Sequence, residues 1–243
     1  MNVKPELSIV IPCLNEAINI THVINQLEGI VTSSPYRIEV LVVDGGSTDT
    51  SHEELTQRFQ SLPSESFKLI LNTQRKGYGA DIMQALDQAR GDVLAWTHAD
   101  MQTDPADVIT AYKRFLQAKN AKVMIKGKRK NRNKLDHFFT LAMQYVVRGI
   151  LKKDLNDINA QPKLFAQDFY QKHLQGQAPA DFSLDLYLLY QAQAHSYDIV
   201  DIPVYFNKRI HGEAKGGGGF QTKIRLIKRT WRYIHHLKKA YPL

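Results

Sequence analysis

The stretch Gly91-Asp-Val-Leu-Ala-Trp-Thr-His-Ala-Asp-Met-Gln-Thr-Asp-Pro105 carries an apolar run that ends abruptly in polar side chains. Residues 93–96 have the length and apolarity of a buried strand. Asp104 before Pro105 is typical of a helix N-cap followed by proline at the first helical position. His98, Asp100 and Gln102 are therefore predicted on a strand-to-helix connection, which is where open α/β sheets bind ligands.

The composition indicates one large globular domain. Of the 243 residues, 43% are hydrophobic and 23% are charged, which is ordinary for a globular protein. Cys13 is the single cysteine, so an internal disulfide framework is excluded. Residues 1–6 lack the pattern of a signal peptide, and no apolar run approaches the roughly 20 residues needed to span a bilayer. We expect a cytoplasmic protein that is soluble or peripheral on the cytoplasmic membrane face.

The charge of the chain favours anionic partners. Lysine and arginine outnumber aspartate and glutamate by 32 to 24, a formal net charge of +8. Such an excess suits nucleotides, phospholipids or nucleic acid. Outside the terminal helix the aromatic residues do not interleave repeatedly with basic ones, which disfavours a nucleic-acid-binding module.

The first half of the chain alternates regularly between short apolar runs and helical patterns. Strands are predicted at residues 7–12, 39–43, 68–71, 93–96 and 123–126. Helices are predicted from residue 15, from a capping box at Thr50 and Glu53, and over residues 80–90 and 105–117. This alternation predicts an α/β fold with a mostly parallel sheet covered by helices on both faces.

The second half is less regular. Helices are predicted over residues 135–151, 162–174 and 182–194, and a strand over residues 199–206 is expected to break at Pro203. The five glycines within residues 209–219 predict a flexible loop. The expected organisation is a domain of residues 1–219, divided at residue 125 into two halves, followed by a basic amphipathic helix over residues 220–243.

Three further polar turns follow predicted strands, and all should meet the 98–102 turn at one edge of the sheet. Pro-Cys-Leu-Asn-Glu (12–16) follows the first strand, Asp-Gly-Gly-Ser (44–47) the second, and Arg-Lys-Gly-Tyr-Gly (75–79) the third. An aspartate there can accept hydrogen bonds from a ribose or a base, and a basic glycine-containing loop suits phosphates. Each motif alone is an ordinary turn or helix start. Together they favour a nucleotide site.

At these residues the chain resembles the inverting GT-A-fold glycosyltransferases, in the branch that includes dolichyl-phosphate mannose synthase-like and undecaprenyl-phosphate glycosyltransferase-like enzymes. The matching segments are Val-Ile-Pro-Cys-Leu-Asn-Glu (10–16), Val-Val-Asp-Gly-Gly-Ser-Thr-Asp (42–49), residues 72–80, Ala-Asp-Met-Gln (99–102) with Asp-Pro (104–105), and Arg-Ile-His-Gly-Glu-Ala-Lys (209–215). The resemblance implies transfer of a sugar with inversion from a GDP- or UDP-sugar to a polyprenyl phosphate. A non-lipid hydroxyl acceptor and a non-catalytic nucleotide-sugar-binding protein are the alternatives.

The resemblance also implies roles for individual residues. Asp100, Arg209 and Asp157 would be catalytic. Asp100 and Gln102 would hold a divalent ion, Mg²⁺ or Mn²⁺, and His98 is a further candidate ligand of this chain's own. Arg129 with Lys126 would contact the acceptor phosphate. The residues implied for the nucleotide sugar are Pro12, Asn15, Glu16, Asp44, Gly46, Ser47, Arg75, Gly77, Tyr78, Gly79, His98, Ala99, Asp100 and Lys215.

The chain departs from the family pattern in three places. His98 stands where the metal motif usually begins with aspartate, and Gly45 stands where the second turn usually carries a second aspartate. Residues 159–163, Asn-Ala-Gln-Pro-Lys, replace a segment that is commonly Gly-Phe-Arg. The third departure leaves the acceptor open.

The acceptor decides whether a general base is needed. A phosphate is already ionised near neutral pH, whereas a hydroxyl would need a base, for which Asp157 and Asp181 are the candidates. The six basic residues within residues 126–134 are either a solvated loop or a surface for the phosphate and an anionic membrane. Likewise, the terminal helix either packs in the core or lies on a membrane.

We predict weak Mg²⁺ binding and a relative preference for Mn²⁺, because His98 removes one anionic ligand and Mn²⁺ accepts imidazole more readily. Titration of both ions against donor turnover measures this preference. Equal or better activity with Mg²⁺ would contradict it.

Overall fold

The fold was obtained as a computed structural model, which describes residues 3–130, 149–150, 155–207 and 231–239. It is built around a sheet of seven described strands. In chain order the strands are β1 (Leu7–Cys13), β2 (Ile38–Asp44), β3 (Phe67–Leu71), β4 (Val93–Trp96), β5 (Val123–Lys130), β6 (Lys163–Ala166) and β7 (Asp198–Tyr205). The main helices are α1 (Ala17–Ser33), α2 (Ser51–Phe59), α3 (Tyr78–Leu86), α4 (Asp107–Leu116), α5 (Gln167–His173) and α6 (Leu184–Ala194).

The strand order is β3-β2-β1-β4-β6-β5-β7. Strands β1 to β4 pair in parallel, β6 runs antiparallel to both β4 and β5, and β7 is parallel to β5. The predicted mostly parallel α/β sheet is therefore confirmed. The chain builds outward from β1 through β2 to β3 and then returns to place β4 on the other side of β1. This reversal creates a crevice beyond the carboxyl ends of β1 and β4, the position where open α/β sheets bind ligands.

The central strands are apolar on both sides because helices cover both faces of the sheet. In β2, Leu41 and Val43 belong to one buried core, whereas Val40 and Val42 belong to the other. Helices α3, α5 and α6 contribute to the first core, and α1, α2 and α4 contribute to the second. Every residue of β2 is buried, so the run 38–44 has no polar face from which a period could be recognised.

The predicted helix over residues 162–174 is wrong in its first part, which is strand β6 followed by α5. Leu164 and Phe165 point into opposite cores, as neighbours in a strand must. A four-residue apolar run is compatible with either a strand or a buried helix segment. Residues 163–166 form a strand because they lie between β4 and β5 and pair with both.

Strand β7 continues through Pro203 and does not break there. It pairs with β5 alone in the described sheet, so it is an edge strand. Proline has no N–H to donate, and an edge strand has a side that needs no donor. Strand β5 is also longer than predicted, because β7 pairs with it as far as Lys130.

Several helix boundaries differ from the predictions. Helix α3 already begins at Tyr78 and ends at Leu86. Helix α4 begins at Asp107, because the Asp104 carboxylate accepts the Ala106 N–H in a turn that precedes it. Helix α2 begins after Thr50 as predicted, but no capping-box bond forms there, since the Thr50 hydroxyl donates to Glu54.

The described part of the terminal helix, residues 231–239, packs partly in the core. Ile234 and Leu237 are buried there, whereas Trp231 is 46% exposed. These contacts favour the core-packing alternative for this part of the helix. The predicted 209–219 loop and almost all of the predicted 135–151 helix lie outside the described residues. Among the residues that the structure describes, no helix is long and apolar enough to cross a membrane.

We expect Gly127→Ala to lower the free energy of unfolding by about 2–4 kcal/mol, because a Cβ on Gly127 would overlap the backbone oxygen of Gln161. Gly29→Ala is the matched control, since a Cβ there meets nothing within 4 Å. In α1 that change should raise stability by up to about 1 kcal/mol. Urea unfolding measures both values, and equal stability of the two variants would contradict the close approach at Gly127.

Candidate active site

The turns after β1 and β2 are joined by direct hydrogen bonds. The Asn15 N–H donates to Ser47 Oγ (2.8 Å), and the Thr48 N–H donates to Asn15 Oδ1 (2.7 Å). Asn15 has a φ of 50°, a left-handed conformation that asparagine tolerates. Next to it, the Glu16 N–H donates to Ser51 Oγ (2.8 Å). The two turns therefore form one rigid unit at the predicted edge, beside the half-buried Pro12.

The Asp44 side chain holds the second turn through hydrogen bonds. Its side chain is fully buried, Oδ1 accepts the Ser47 N–H (3.0 Å), and Oδ2 lies 3.0 Å from Nδ1 of His52. Both oxygens are thus occupied in this structure. His52 was missed by the sequence reasoning, although its place on α2, eight residues after Asp44, puts it near the turn.

The third turn packs onto the second. A Cβ on Gly46, whose φ is +82°, would lie 2.9 Å from the backbone carbon of Gln74. The Asn72 N–H donates to the Asp44 carbonyl (3.0 Å), and Lys76 Nζ donates to Asn72 Oδ1 (3.2 Å). Arg75 is exposed beside them. Turns that follow three neighbouring strands therefore meet at one edge.

Gly77 and Gly79 contact protein backbone at the place where the sequence suggested a phosphate. A Cβ on Gly77 would lie 2.5 Å from the Ala180 oxygen, and a Cβ on Gly79 would overlap the Pro179 oxygen. The Ala80 N–H, in the first turn of α3, donates to the Ala180 carbonyl (2.9 Å). These glycines let the segment before α6 pack closely on the start of α3.

The fourth turn, after β4, carries the candidate metal ligands. Asp100 is half-buried, and its Oδ1 accepts the Gln102 N–H (3.1 Å) across Met101, whose φ is 57°. The N–H of Asn207, which follows β7, donates to the Gln102 carbonyl (2.9 Å), and Gln102 Nε2 donates to the Asn207 carbonyl (3.3 Å). Ala99 is buried below the turn. The predicted residues Arg209 and Lys215 lie outside the described residues.

His98 belongs to a stack of three rings. The His98 and Tyr78 ring centroids are 5.9 Å apart at 17°, and Tyr78 and Phe182 are 4.6 Å apart at 8°. Gln161 Nε2 donates to the Tyr78 hydroxyl (3.3 Å). Burial, with Asp185 adding to its effect, raises the pKa of Tyr78 well above its ordinary value. The sequence predicted neither Phe182 nor Gln161 at this site.

The donor atoms fit a divalent ion that is shared with a substrate. Within the described ranges, no three His, Cys, Asp or Glu side chains are grouped to hold a metal by themselves. Asp100 and Gln102 supply a carboxylate and an amide, and hard ions such as Mg²⁺ are often held by one or two protein oxygens plus substrate phosphates. The protein ligands present therefore suit Mg²⁺ or Mn²⁺ bound together with a diphosphate.

Arg129, near the end of β5, forms a tight pair with Asp157. The Asp157 carboxylate accepts three hydrogen bonds from Arg129: one from its backbone N–H (2.7 Å), one from Nε (2.8 Å) and one from Nη2. The Phe206 ring centroid lies 5.2 Å from Arg129 Cζ, close enough for a cation–π contact. Both charged side chains are mostly buried, so the pair is held in one geometry.

Lys126 lies on the other face of β5, because residues three apart in a strand point to opposite faces. Its ammonium is buried, 2.7 Å from Asp201 Oδ1 and 2.8 Å from Asn156 Oδ1. Burial lowers its pKa, and the ion pair with Asp201 opposes that shift. Lys126 is therefore engaged by Asp201 and Asn156, whereas Arg129 pairs with Asp157.

Lys163 supports the segment that carries Asp157. Its buried Nζ donates to the carbonyls of Ile158 (2.7 Å) and Ala160 (2.5 Å) and lies 3.3 Å from Asp185 Oδ1. Burial lowers the pKa of Lys163 to about 8. Nothing in the local sequence around Lys163, which follows Pro162, predicts this supporting role.

Comparison with known proteins agrees with this arrangement. The chain is 34% identical over 102 residues to undecaprenyl-phosphate 4-deoxy-4-formamido-L-arabinose transferase of Pseudomonas savastanoi pv. phaseolicola, covering 42% of this chain and 30% of that protein. It is 29% identical over 167 residues to dodecaprenyl-phosphate galacturonate synthase of Rhizobium johnstonii, covering 66% of this chain and 47% of that protein. The chain thus spans less than half the length of these two curated relatives.

Its fold is similar to that of a solved GT-A glycosyltransferase. The crystal structure of glucosyl-3-phosphoglycerate synthase from Mycobacterium tuberculosis, in complex with Mn²⁺, UDP and glucosyl-3-phosphoglycerate, superposes with a TM-score of 0.70 at 15% identity. The match covers 98% of this chain and 81% of that one. The predicted GT-A fold is confirmed. The glycosyl transferase family 2 model matches residues 8–173, more than half of the chain, and the chain therefore belongs to glycosyl transferase family 2.

Proposed function

We propose that this chain transfers a sugar, with inversion, from a UDP- or GDP-sugar to a polyprenyl phosphate. The observation that carries the proposal is the meeting of the turns after β1, β2, β3 and β4 at the crevice between β1 and β4. The two curated relatives, which are named for polyprenyl-phosphate substrates, support this class of acceptor. Residues 1–125 would bind the donor, residues 126–219 the acceptor, and residues 220–243 would form the basic helix.

The donor would lie across the joined turns. Asn15, Ser47 and the neighbouring backbone form the nucleoside side, and Asp100 with Gln102 forms the diphosphate side. When bound by Asp100 and Gln102, Mg²⁺ or Mn²⁺ supplies positive charge that stabilises the departing diphosphate. His98 would contribute to this end of the site, with its ring orientation fixed by stacking on Tyr78.

The acceptor oxygen would attack the anomeric carbon from the face opposite the diphosphate. A bond forms between the phosphate oxygen and that carbon, and the bond from the carbon to the diphosphate breaks, so a single displacement inverts the configuration. A phosphate needs no base for this step. The Asp157 oxygens are engaged by Arg129, and Asp181 Oδ1 accepts the Ser183 N–H. These bonds favour a phosphate acceptor over a hydroxyl acceptor.

Arg129 is the proposed contact for the acceptor phosphate. Asp157 engages Nε and Nη2 of its guanidinium, and we propose that Nη1 binds the phosphate. Lys126 is left out of this contact because its ammonium is buried against Asp201. The exposed Lys128 and Lys130 on β5 would face an anionic membrane surface, and we propose that the protein is peripheral on the cytoplasmic membrane face.

We expect Asp100→Asn to lower nucleoside diphosphate release from UDP- or GDP-sugars by about 10²–10³-fold, because the diphosphate loses its anchoring carboxylate. Asp92→Asn, at the opposite end of β4 and 67% exposed, is the matched control and should retain activity. Release is measured with undecaprenyl phosphate as acceptor. Tight donor binding without turnover in the unmodified chain would instead support a nucleotide-sugar-binding protein.

We expect Arg129→Lys to raise the KM for the acceptor phosphate by about tenfold or more, because lysine cannot keep the paired contact with Asp157 while binding a phosphate. The KM for the donor should stay within about twofold of its original value. Lys68→Ala, which removes an exposed charge from β3 at the opposite edge of the sheet, is the control. Steady-state kinetics separate the two constants, and an equal rise in both would contradict a specific acceptor role.

A further inference from the structure

Gly45 and Asp81 occupy one shared space at the donor edge. A Cβ on Gly45 would lie 2.5 Å from Asp81 Oδ2 and 3.2 Å from its Cγ. Asp81 is only 4% exposed and has little room to move aside. A side chain at position 45 and the carboxylate of Asp81 therefore exclude each other. Asp81, on helix α3, therefore places its carboxylate beside Gly45, a residue of the Asp44–Ser47 turn that has no side chain.

The Asp81 carboxylate has unused acceptor capacity. Oδ1 accepts Nδ2 of Asn72 (3.1 Å), and no hydrogen bond to Oδ2 is found among the described residues. A carboxylate can accept about four hydrogen bonds. Burial raises the pKa of Asp81 to about 6, with Asn72 and Lys76 opposing that rise. An acidic residue is favoured in the first turn of a helix such as α3, because it interacts well with the helix dipole. This preference does not explain why Asp81 is buried.

The neighbours of Asp81 place its carboxylate within the donor site. Asn72 bridges the turns, because its N–H donates to the Asp44 carbonyl and its side chain donates to Asp81. Lys76 donates to Asn72 Oδ1 and so fixes the amide with its NH₂ group toward Asp81. The carboxylate thus lies between the turns after β2 and β3, on the nucleoside side of the crevice.

We propose that Asp81 recognises the donor nucleobase and selects bases that carry an N–H at their hydrogen-bonding edge. An ionised carboxylate can only accept, so it matches the ring N–H of uracil or guanine. Adenine and cytosine present a ring nitrogen lone pair at that position, which would face the carboxylate unfavourably. This inference rests on the proposed donor binding and deepens it, because it names the residue that selects the base.

Isothermal titration calorimetry with UDP, GDP, CDP and ADP in the presence of Mn²⁺ tests the proposal. The unmodified chain should bind UDP or GDP at least tenfold more tightly than CDP and ADP. Asp81→Asn should weaken binding of the preferred nucleotide by tenfold or more and reduce the preference to below about threefold, because an amide can both donate and accept. Its Tm at pH 7.5 should be unchanged or higher, since the neutral amide removes the cost of a buried charge.

A charge-relocation pair provides the second test. Asp81→Ala alone should lose the preference, whereas Gly45→Asp combined with Asp81→Ala should recover part of it by returning a carboxylate to the same space. Gly45→Asp alone should weaken binding of every nucleotide, because the two carboxylates collide.

The opposing outcomes are distinct. A lower Tm for Asp81→Asn with an equal loss for all four nucleotides would show a structural role and overturn the inference. Unchanged preference in Asp81→Asn, together with loss of turnover in Asp100→Asn, would overturn it while leaving the proposed function intact. Failure of the unmodified chain to bind any of the four nucleotides would overturn both.

Discussion

The parallel pairing of β1 with both β2 and β4 is the interaction on which the rest of the structure depends. Its register sets Cys13 opposite Asp44 and Val10 opposite Trp96, so the polar residues after each strand emerge together. Backbone hydrogen bonds along the paired strands hold this register. Asn15 and Ser47 can then bond across the gap between the two turns.

Strand β6 joins the strands β1 to β4 to the strands β5 and β7. It lies antiparallel between β4 and β5, and its entry segment packs so closely on β5 that Gly127 has no room for a Cβ. Gly79 meets the backbone before α6 in the same way. Two close backbone contacts therefore fix β5 against the entry to β6, and α3 against the segment before α6. Close packing of this kind suits the proposed reaction, in which donor and acceptor must be aligned.

Most buried charges of the site already have partners. Asp44 is matched by Ser47 and His52, Arg129 by Asp157, and Lys163 by backbone carbonyls. Each partner offsets a desolvation cost that an isolated buried charge would impose. Asp81 differs because one of its oxygens has no hydrogen-bond donor among the described residues. This contrast with its neighbours underlies the proposal that Asp81 binds the donor nucleobase.

Local sequence patterns determined the alternating strands and helices, the mostly parallel sheet and the polar turns, because burial and turn chemistry are encoded by neighbouring residues. Tertiary structure alone decided that residues 163–166 form a strand, that Pro203 is tolerated at an edge, and that Lys126 and Arg129 lie on opposite faces. It likewise decided that Gly77 and Gly79 contact backbone and that Asp81 fills the space at Gly45. Each of these outcomes depends on which distant segment of the chain packs against the residue, and the periodicity of the local sequence does not specify that segment.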